Sequence, residues 1–178
     1  PLPRAGWEAL VRELVAANPS PPPSHDGRLA VYLQVTRGDS AGRAHQFPAR
    51  ARPRVFGMCL ANPPPPPAAF ETGLAVILRE DLRWSRCDIK STSLLGNVLA
   101  REEAAAAGAA ETLLHRDGEV TEGSTTNVIA CLDGALVSPP DGPLLLPGVT
   151  RDWVLEQAAG EGIPCIRRGI AVEALREA

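Results

Sequence analysis

The stretch Glu111-Thr112-Leu113-Leu114-His115-Arg116-Asp117-Gly118-Glu119-Val120-Thr121-Glu122-Gly123-Ser124 decides the fold class. Asp-Gly between two short, partly apolar runs is a hairpin signal, because the tight primed turn needs positive φ at its centre. Strands are therefore predicted over residues 111–116 and 119–121. The pattern repeats downstream, with strands over 127–132 and 135–137 around Asp133-Gly134. Between the preceding strand (74–78) and the first hairpin, residues 94–107 are alanine-rich and of high helix propensity. A helix over 150–159 and a short strand over 164–166 follow. Helices scattered among short, tightly turned strands predict an α+β chain rather than a regular βαβ alternation.

Upstream, Trp7, Leu10, Val11, Leu14 and Val15 recur at helical spacing within residues 6–18. Asn18-Pro19 and the prolines of 21–23 break that helix, and strands are predicted over 29–36 and 55–60. Pro63 to Pro67 is an uninterrupted proline run, a stiff segment of about 15 Å at ~3.1 Å per residue. It marks the expected boundary: an N-terminal domain over 1–62, a linker over 63–67 and a C-terminal domain over 68–178. Pro1 and a helix start over 172–178 that simply stops suggest a piece of a longer protein.

Composition narrows the function classes. The 178 residues are 44% apolar and 22% charged, enough for a packed core. A net charge of −3 argues against a nucleic-acid footprint. No apolar run reaches the ~18 residues of a membrane span. Cys59, Cys87, Cys131 and Cys165 are too widely spaced for a zinc site or a small disulfide scaffold, so no metal is expected. They read as reduced thiols of a cytoplasmic protein. Of the 18 basic residues, 17 are Arg and one is Lys90. Guanidinium does not lose its proton in proteins, whereas an amine does, so the lone lysine is the candidate for amine chemistry.

Lys90 stands in Arg86-Cys87-Asp88-Ile89-Lys90-Ser91, just before the alanine-rich helix. A deprotonated lysine amine is a nucleophile toward aldehydes, which pyridoxal phosphate enzymes exploit together with an acid at the pyridine nitrogen. Glu122, in Thr121-Glu122-Gly123-Ser124-Thr125-Thr126-Asn127, is the candidate acid. Gly123 would allow close approach of backbone to a ligand, and three hydroxyls would supply donors; an ordinary polar turn has the same composition. Leu145-Leu146-Pro147-Gly148-Val149-Thr150-Arg151 opens a helix whose first amides suit a phosphate, although Thr is also a common cap. Arg43 and His45, two apart in an extended segment, face one side and could hold a carboxylate. His25 and His115 lack such partners and read as surface residues.

At these positions the sequence resembles the fold-type IV (class IV) pyridoxal phosphate aminotransferases, in particular their D-amino-acid branch. The resemblance runs from Leu33-Gln34-Val35-Thr36-Arg37-Gly38 through Arg43-Ala44-His45-Gln46-Phe47-Pro48, Cys87-Asp88-Ile89-Lys90-Ser91, Leu94-Leu95-Gly96-Asn97 and Thr121-Glu122-Gly123-Ser124 to Gly148-Val149-Thr150-Arg151. It implies two domains, a smaller α/β one and a larger, barrel-like one with helices. It implies that Lys90 holds pyridoxal 5'-phosphate covalently and moves the substrate's Cα proton, and that Glu122 partners the pyridine nitrogen. Leu146 would support the ring, and Val149 and Thr150 would reach the phosphate. Arg43 and His45 would bind the substrate α-carboxylate, across a homodimer from the neighbouring subunit. The implied reaction is D-alanine plus 2-oxoglutarate to pyruvate plus D-glutamate. Alternatives are a branched-chain L-aminotransferase, an aminodeoxychorismate lyase, an (R)-amine transaminase or a non-catalytic piece. The family's phosphate-binding Arg, its substrate-contacting Tyr and a late Ser/Thr-bearing strand have no counterpart in these residues.

Overall fold

The computed structural model describes residues 2–18, 29–38, 42 and 45–176. Its chain divides into two compact units, Pro1–Pro67 and Ala68–Ala178. The first contains helix α1 (Arg4–Ala17) and strands β1 (Leu29–Thr36) and β2 (Arg54–Ala61). The strands pair antiparallel without a slip, from Leu29 opposite Ala61 to Thr36 opposite Arg54. Leu14 of the helix settles over Gly57, where a Cβ would lie 2.7 Å from its methyl carbon and 3.0 Å from that of Leu33. Tyr32 and Phe56 meet edge to face, with centroids 6.5 Å apart. No described residue of this unit is fully buried.

The second unit adds α2 (Ala68–Glu71), β3 (Val76–Glu80), α3 (Leu95–Ala106), β4 (Glu111–Arg116), β5 (Glu119–Gly123), β6 (Ala130–Leu132), β7 (Ala135–Ser138), α4 (Val149–Gly160), β8 (Cys165–Arg167) and α5 (Val172–Arg176). Both Asp-Gly pairs form the expected turns, with φ of 50° and 80° at Asp117 and Gly118 and 51° and 75° at Asp133 and Gly134. Two three-stranded sheets result, in the orders β3-β4-β5 and β6-β7-β8. Each is a hairpin extended by one parallel strand, β3 beside β4 and β8 beside β7. The parallel partners are joined over α3 and over α4, so the chain contains two crossovers that the alternation of elements did not announce.

One apolar cluster ties the sheets together: Val120, Val128, Ala130, Ala135, Val137, Ile170 and Val172 are all buried. The Val120 amide donates to the Ile170 carbonyl at 2.8 Å, anchoring the segment before α5 against β5. Ala100 and Ala104 face inward from α3, and the Thr112 hydroxyl donates to the Ala100 carbonyl at 2.6 Å. Two details depart from the sequence-based expectation. The cap of α4 is Gly148, in extended conformation, so Thr150 lies within the first helical turn. His115 is half-buried with its Nδ1 enclosed and without a partner, not a surface residue; His25 lies outside the described residues.

Candidate active site

Glu122 is the penultimate residue of β5 and only 5% exposed. A carboxylate at that depth needs donors on both oxygens. Arg83 Nη1 donates to Oε1 at 2.6 Å. The Leu146 amide and Asn127 Nδ2 donate to Oε2 at 3.0 and 3.2 Å. Asn127 Nδ2 also reaches the Leu146 carbonyl at 2.9 Å, so Leu146 is bracketed by the acid and the amide through its backbone. A carboxylate has about four lone-pair directions. Three are filled, which leaves one on Oε1.

Arg83 is the hinge of a larger network. Its Nε and Nη2 fork onto Asp81 at 2.9 and 2.8 Å, and Nη2 also meets the Leu144 carbonyl at 3.3 Å. The Asp81 side chain is fully enclosed and also takes the Thr121 hydroxyl at 3.2 Å, with Arg116 3.5 Å away. Gly96 makes room for the arginine stem, since a Cβ there would stand 2.9 Å from Arg83 Cγ. Burial pushes the Glu122 carboxyl above its ordinary value, against the pull of Arg83 and the Leu146 amide. Burial opposes the charge of Asp81 too, but the Arg83 fork holds that carboxyl below its usual range. Arg83 stays charged: burial opposes it, and the two carboxylates outweigh burial.

Lys90 stands in the irregular segment between β3 and α3, and is exposed. The segment is pinned by the Cys87 amide, which donates to the Pro143 carbonyl at 2.7 Å, one residue before the Leu144 that Arg83 contacts. Asp88, two residues before the lysine, is taken by the Arg86 fork at 2.9 Å on each oxygen. Among the described residues Lys90 forms no hydrogen bond or ion pair.

The first turn of α4 follows directly on the Glu122 contacts. Gly148 lies against Asn127, whose Oδ1 would collide with any Cβ at that position. The amides of Val149 and Thr150 lie in the first turn, where no helical carbonyl can accept them. Both residues are exposed. Arg151, buried beside them, bonds Asp141 and Asp152, and Arg167 meets Asp152 at 2.8 Å from β8. The turn is thus held from behind while its amides stay open to an anion. A separate cavity of about 510 Å³, walled by Val76, Leu78, Leu113, Val128 and Leu175, reaches Asn127 but neither Lys90 nor Glu122.

Of the residues singled out from sequence, Glu122 and Leu146 are in contact, and Val149 and Thr150 open the adjoining helix. The segment carrying Lys90 is tied to that region at Cys87, three residues before the lysine, by the bond to the Pro143 carbonyl, and among the described residues no hydrogen bond or ion pair joins Lys90 itself to Glu122 or Leu146. His45 is exposed in the first unit, and Arg43 lies outside the described residues. Sequence reading missed Arg83 and Asp81, because nothing in the spacing distinguishes one arginine of 17. It placed Asn127 in the motif without a role. It also assigned the hydroxyls of Ser124, Thr125 and Thr126 to a ligand, whereas all three donate to Glu111.

Comparison with known proteins bears on this geometry. The family described as amino-transferase class IV matches residues 1–178. A D-alanine aminotransferase of Staphylococcus epidermidis is 41% identical over 148 residues, covering 83% of this chain and 52% of that protein. One of Staphylococcus haemolyticus is 40% identical over 169 residues, covering 95% and 57%. This chain thus spans about half the length of the curated relatives it matches. Among solved structures, a 4-amino-4-deoxychorismate lyase of Pseudomonas aeruginosa superposes with a TM-score of 0.78 at 28% identity, over 100% of this chain and 64% of that one. A fold IV transaminase of Curtobacterium pusillum gives 0.77 at 25%, over 98% and 59%. Among the described residues no helix is long and apolar enough to cross a membrane.

Proposed function

We propose, from the premise that this chain belongs to the class IV amino-transferase family, that it acts in pyridoxal-phosphate-dependent transamination of D-amino acids, passing the amino group of D-alanine to 2-oxoglutarate. The observation that carries this is the Glu122 cradle. Arg83, Asn127 and the Leu146 amide hold a buried carboxylate and leave one acceptor direction free, which is what a protonated ring nitrogen needs. The residues present fit the cofactor at three points: a free amine at Lys90, that acceptor on Glu122, and open amides at the start of α4.

When bound, pyridoxal phosphate supplies an electron sink for the bond broken at the substrate Cα. Lys90 would hold the cofactor through its aldehyde, and its amine, when free, would act as general base toward the substrate Cα proton. Glu122 holds a proton at the ring nitrogen. Arg83 pulls Glu122 toward its anionic form against the burial that pushes its carboxyl up, and so would help keep the shared proton on the ring nitrogen. Leu146 supports the ring, and the Val149 and Thr150 amides with the Thr150 hydroxyl receive the phosphate. Arg43 and His45 hold the α-carboxylate in a site shared by the two subunits of a homodimer, which selects the face of Cα that meets Lys90. A cytoplasmic setting belongs to the same proposal and suits the free thiols of Cys59, Cys87, Cys131 and Cys165.

The preference for D-amino acids is supported by the two staphylococcal relatives, both named for D-alanine. The likeness to a lyase over the whole chain keeps a second reaction on the same amine and acid in view. Incubation of the protein with pyridoxal phosphate, D-alanine and 2-oxoglutarate should yield pyruvate, with Arg43→Ala raising the KM for D-alanine sharply. Turnover of L-leucine alone would move the protein to the branched-chain reaction. An unchanged KM in Arg43→Ala would favour a lyase or amine transaminase. Failure to take up the cofactor would mark the chain as inactive by itself.

A further inference from the structure

Glu111, the first residue of β4, receives five donors. Oε1 accepts from the Thr112 amide at 2.7 Å and from the Ser124 hydroxyl. Oε2 accepts from the Thr125 amide at 3.2 Å, the Thr125 hydroxyl at 2.7 Å and the Thr126 hydroxyl at 3.2 Å. Each oxygen therefore faces one backbone N–H, which cannot turn round. A glutamine at this position would oppose its NH₂ to one of those amides in either orientation, so only a carboxylate satisfies the site. The turn it organises is also closed by the Gly123 amide on the Thr126 carbonyl at 2.7 Å, and it leads straight out of Glu122.

Gly123 gives an independent sign of the same fit. A Cβ there would meet the Thr126 hydroxyl oxygen and lie 3.3 Å from Cγ and Cδ of Glu111. The glycine after Glu122 thus makes room for Glu111 and for the turn, where sequence reading gave it to a ligand. The Ser124 amide and carbonyl are fixed as well, by the Thr112 carbonyl at 2.9 Å and by Asn97 Nδ2 at 2.7 Å.

We infer that Glu111 is a positioning residue, whose carboxylate gathers the hydroxyl protons of Ser124, Thr125 and Thr126 and through that turn sets the position of Glu122 against the cofactor ring. The inference rests on the pyridoxal phosphate reading and adds a residue to it. While Glu111 is charged, the three hydroxyls present lone pairs outward and their protons are spent inward. The turn is therefore a splint for the acid and not a set of O–H donors for the phosphate.

The test compares wild type, Glu111→Gln and Ser124→Ala by amide hydrogen exchange without cofactor and by pyridoxal phosphate titration. Glu111→Gln should speed exchange at residues 122–126, leave β6, β7 and α4 unchanged, and weaken cofactor binding about tenfold, the scale of a lost charged hydrogen bond. Ser124→Ala should act in the same direction and more weakly, and adding it to Glu111→Gln should have less than its separate effect. If Glu111→Gln does not fold, Ser124→Ala with Thr126→Ala carries the test. Unchanged exchange over 122–126, or unchanged cofactor affinity in variants of a wild type that binds, would overturn the inference. A wild type that binds no pyridoxal phosphate would overturn the functional reading instead, and hydrogen exchange would still judge the splint.

Discussion

The two reactive groups of the candidate site are held in opposite ways. Glu122 is enclosed by Arg83, Asn127 and the Leu146 amide, and Arg83 is bound in turn by Asp81, Leu144 and Glu122. Lys90 is exposed on an irregular segment and has no polar partner among the described residues. The contrast fits the roles proposed for each. An acid that keeps one charge state next to a ring gains from fixed dipoles and burial. An amine that joins, leaves and carries a proton gains from having nothing to break. Stability and reactivity should therefore separate cleanly between the two sides.

The largest expected effect is on the amine side and leaves the fold alone. Lys90→Ala should abolish covalent attachment, so that borohydride reduction of the cofactor-loaded protein labels no peptide, while the melting temperature stays that of wild type. A labelled peptide elsewhere would break the comparison, because the amine would be the wrong one. Next comes the acid side. Arg83→Met leaves Glu122 buried without its counter-ion and Asp81 with Arg116 alone, and should cost about 3–5 kcal/mol in urea unfolding, the usual scale for stripping one partner from a buried pair. A loss below about 1 kcal/mol would show that the network is solvated and not a rigid cradle.

The pH dependence sharpens the contrast with a smaller effect. Asp81 and Glu111 titrate below their ordinary values in the folded chain. Hydrogen bonds lower both against the cost of burial, so their stabilisation is complete above the unfolded carboxylate range near pH 4 and is lost as pH falls through the lower folded values. Glu122 is displaced upward, so the folded state binds its proton first and stability rises slightly as pH drops through that higher value. Circular dichroism melts should therefore show a shallow gain followed by a steep acid loss. Glu122→Gln should remove the gain and keep the loss. The smallest effect belongs to Asp88→Asn: the Arg86–Asp88 pair is solvent-exposed, so the melting temperature should not change. A clear shift would mean that the lysine segment is held more tightly than its contacts imply.

Much of the second unit was legible because its signals are local. Asp117-Gly118 and Asp133-Gly134 announce their turns by their own backbone preferences, and the alanines of α3 announce a helix by propensity. The parallel pairing of β3 with β4 and of β7 with β8 was not legible, since it depends on where a crossover helix lays the next strand down. The hydroxyls after Glu122 were recognised as a polar cluster, but their direction was misread: the acceptor is Glu111, on a different strand.

The amino-acid order by itself determined that one side chain can act as an amine, that an acid stands near the end of a hairpin arm, and that a glycine-led helix follows. Each of these is a matter of residue identity or of neighbours along the backbone. Only the tertiary structure decided that Arg83 meets Glu122, 39 positions away, and that Glu111 takes the hydroxyl protons of the next strand's turn. Those pairings come from burial. A charge taken out of water must find a partner through space, and 17 arginines look alike until packing brings one of them within 2.6 Å of the acid.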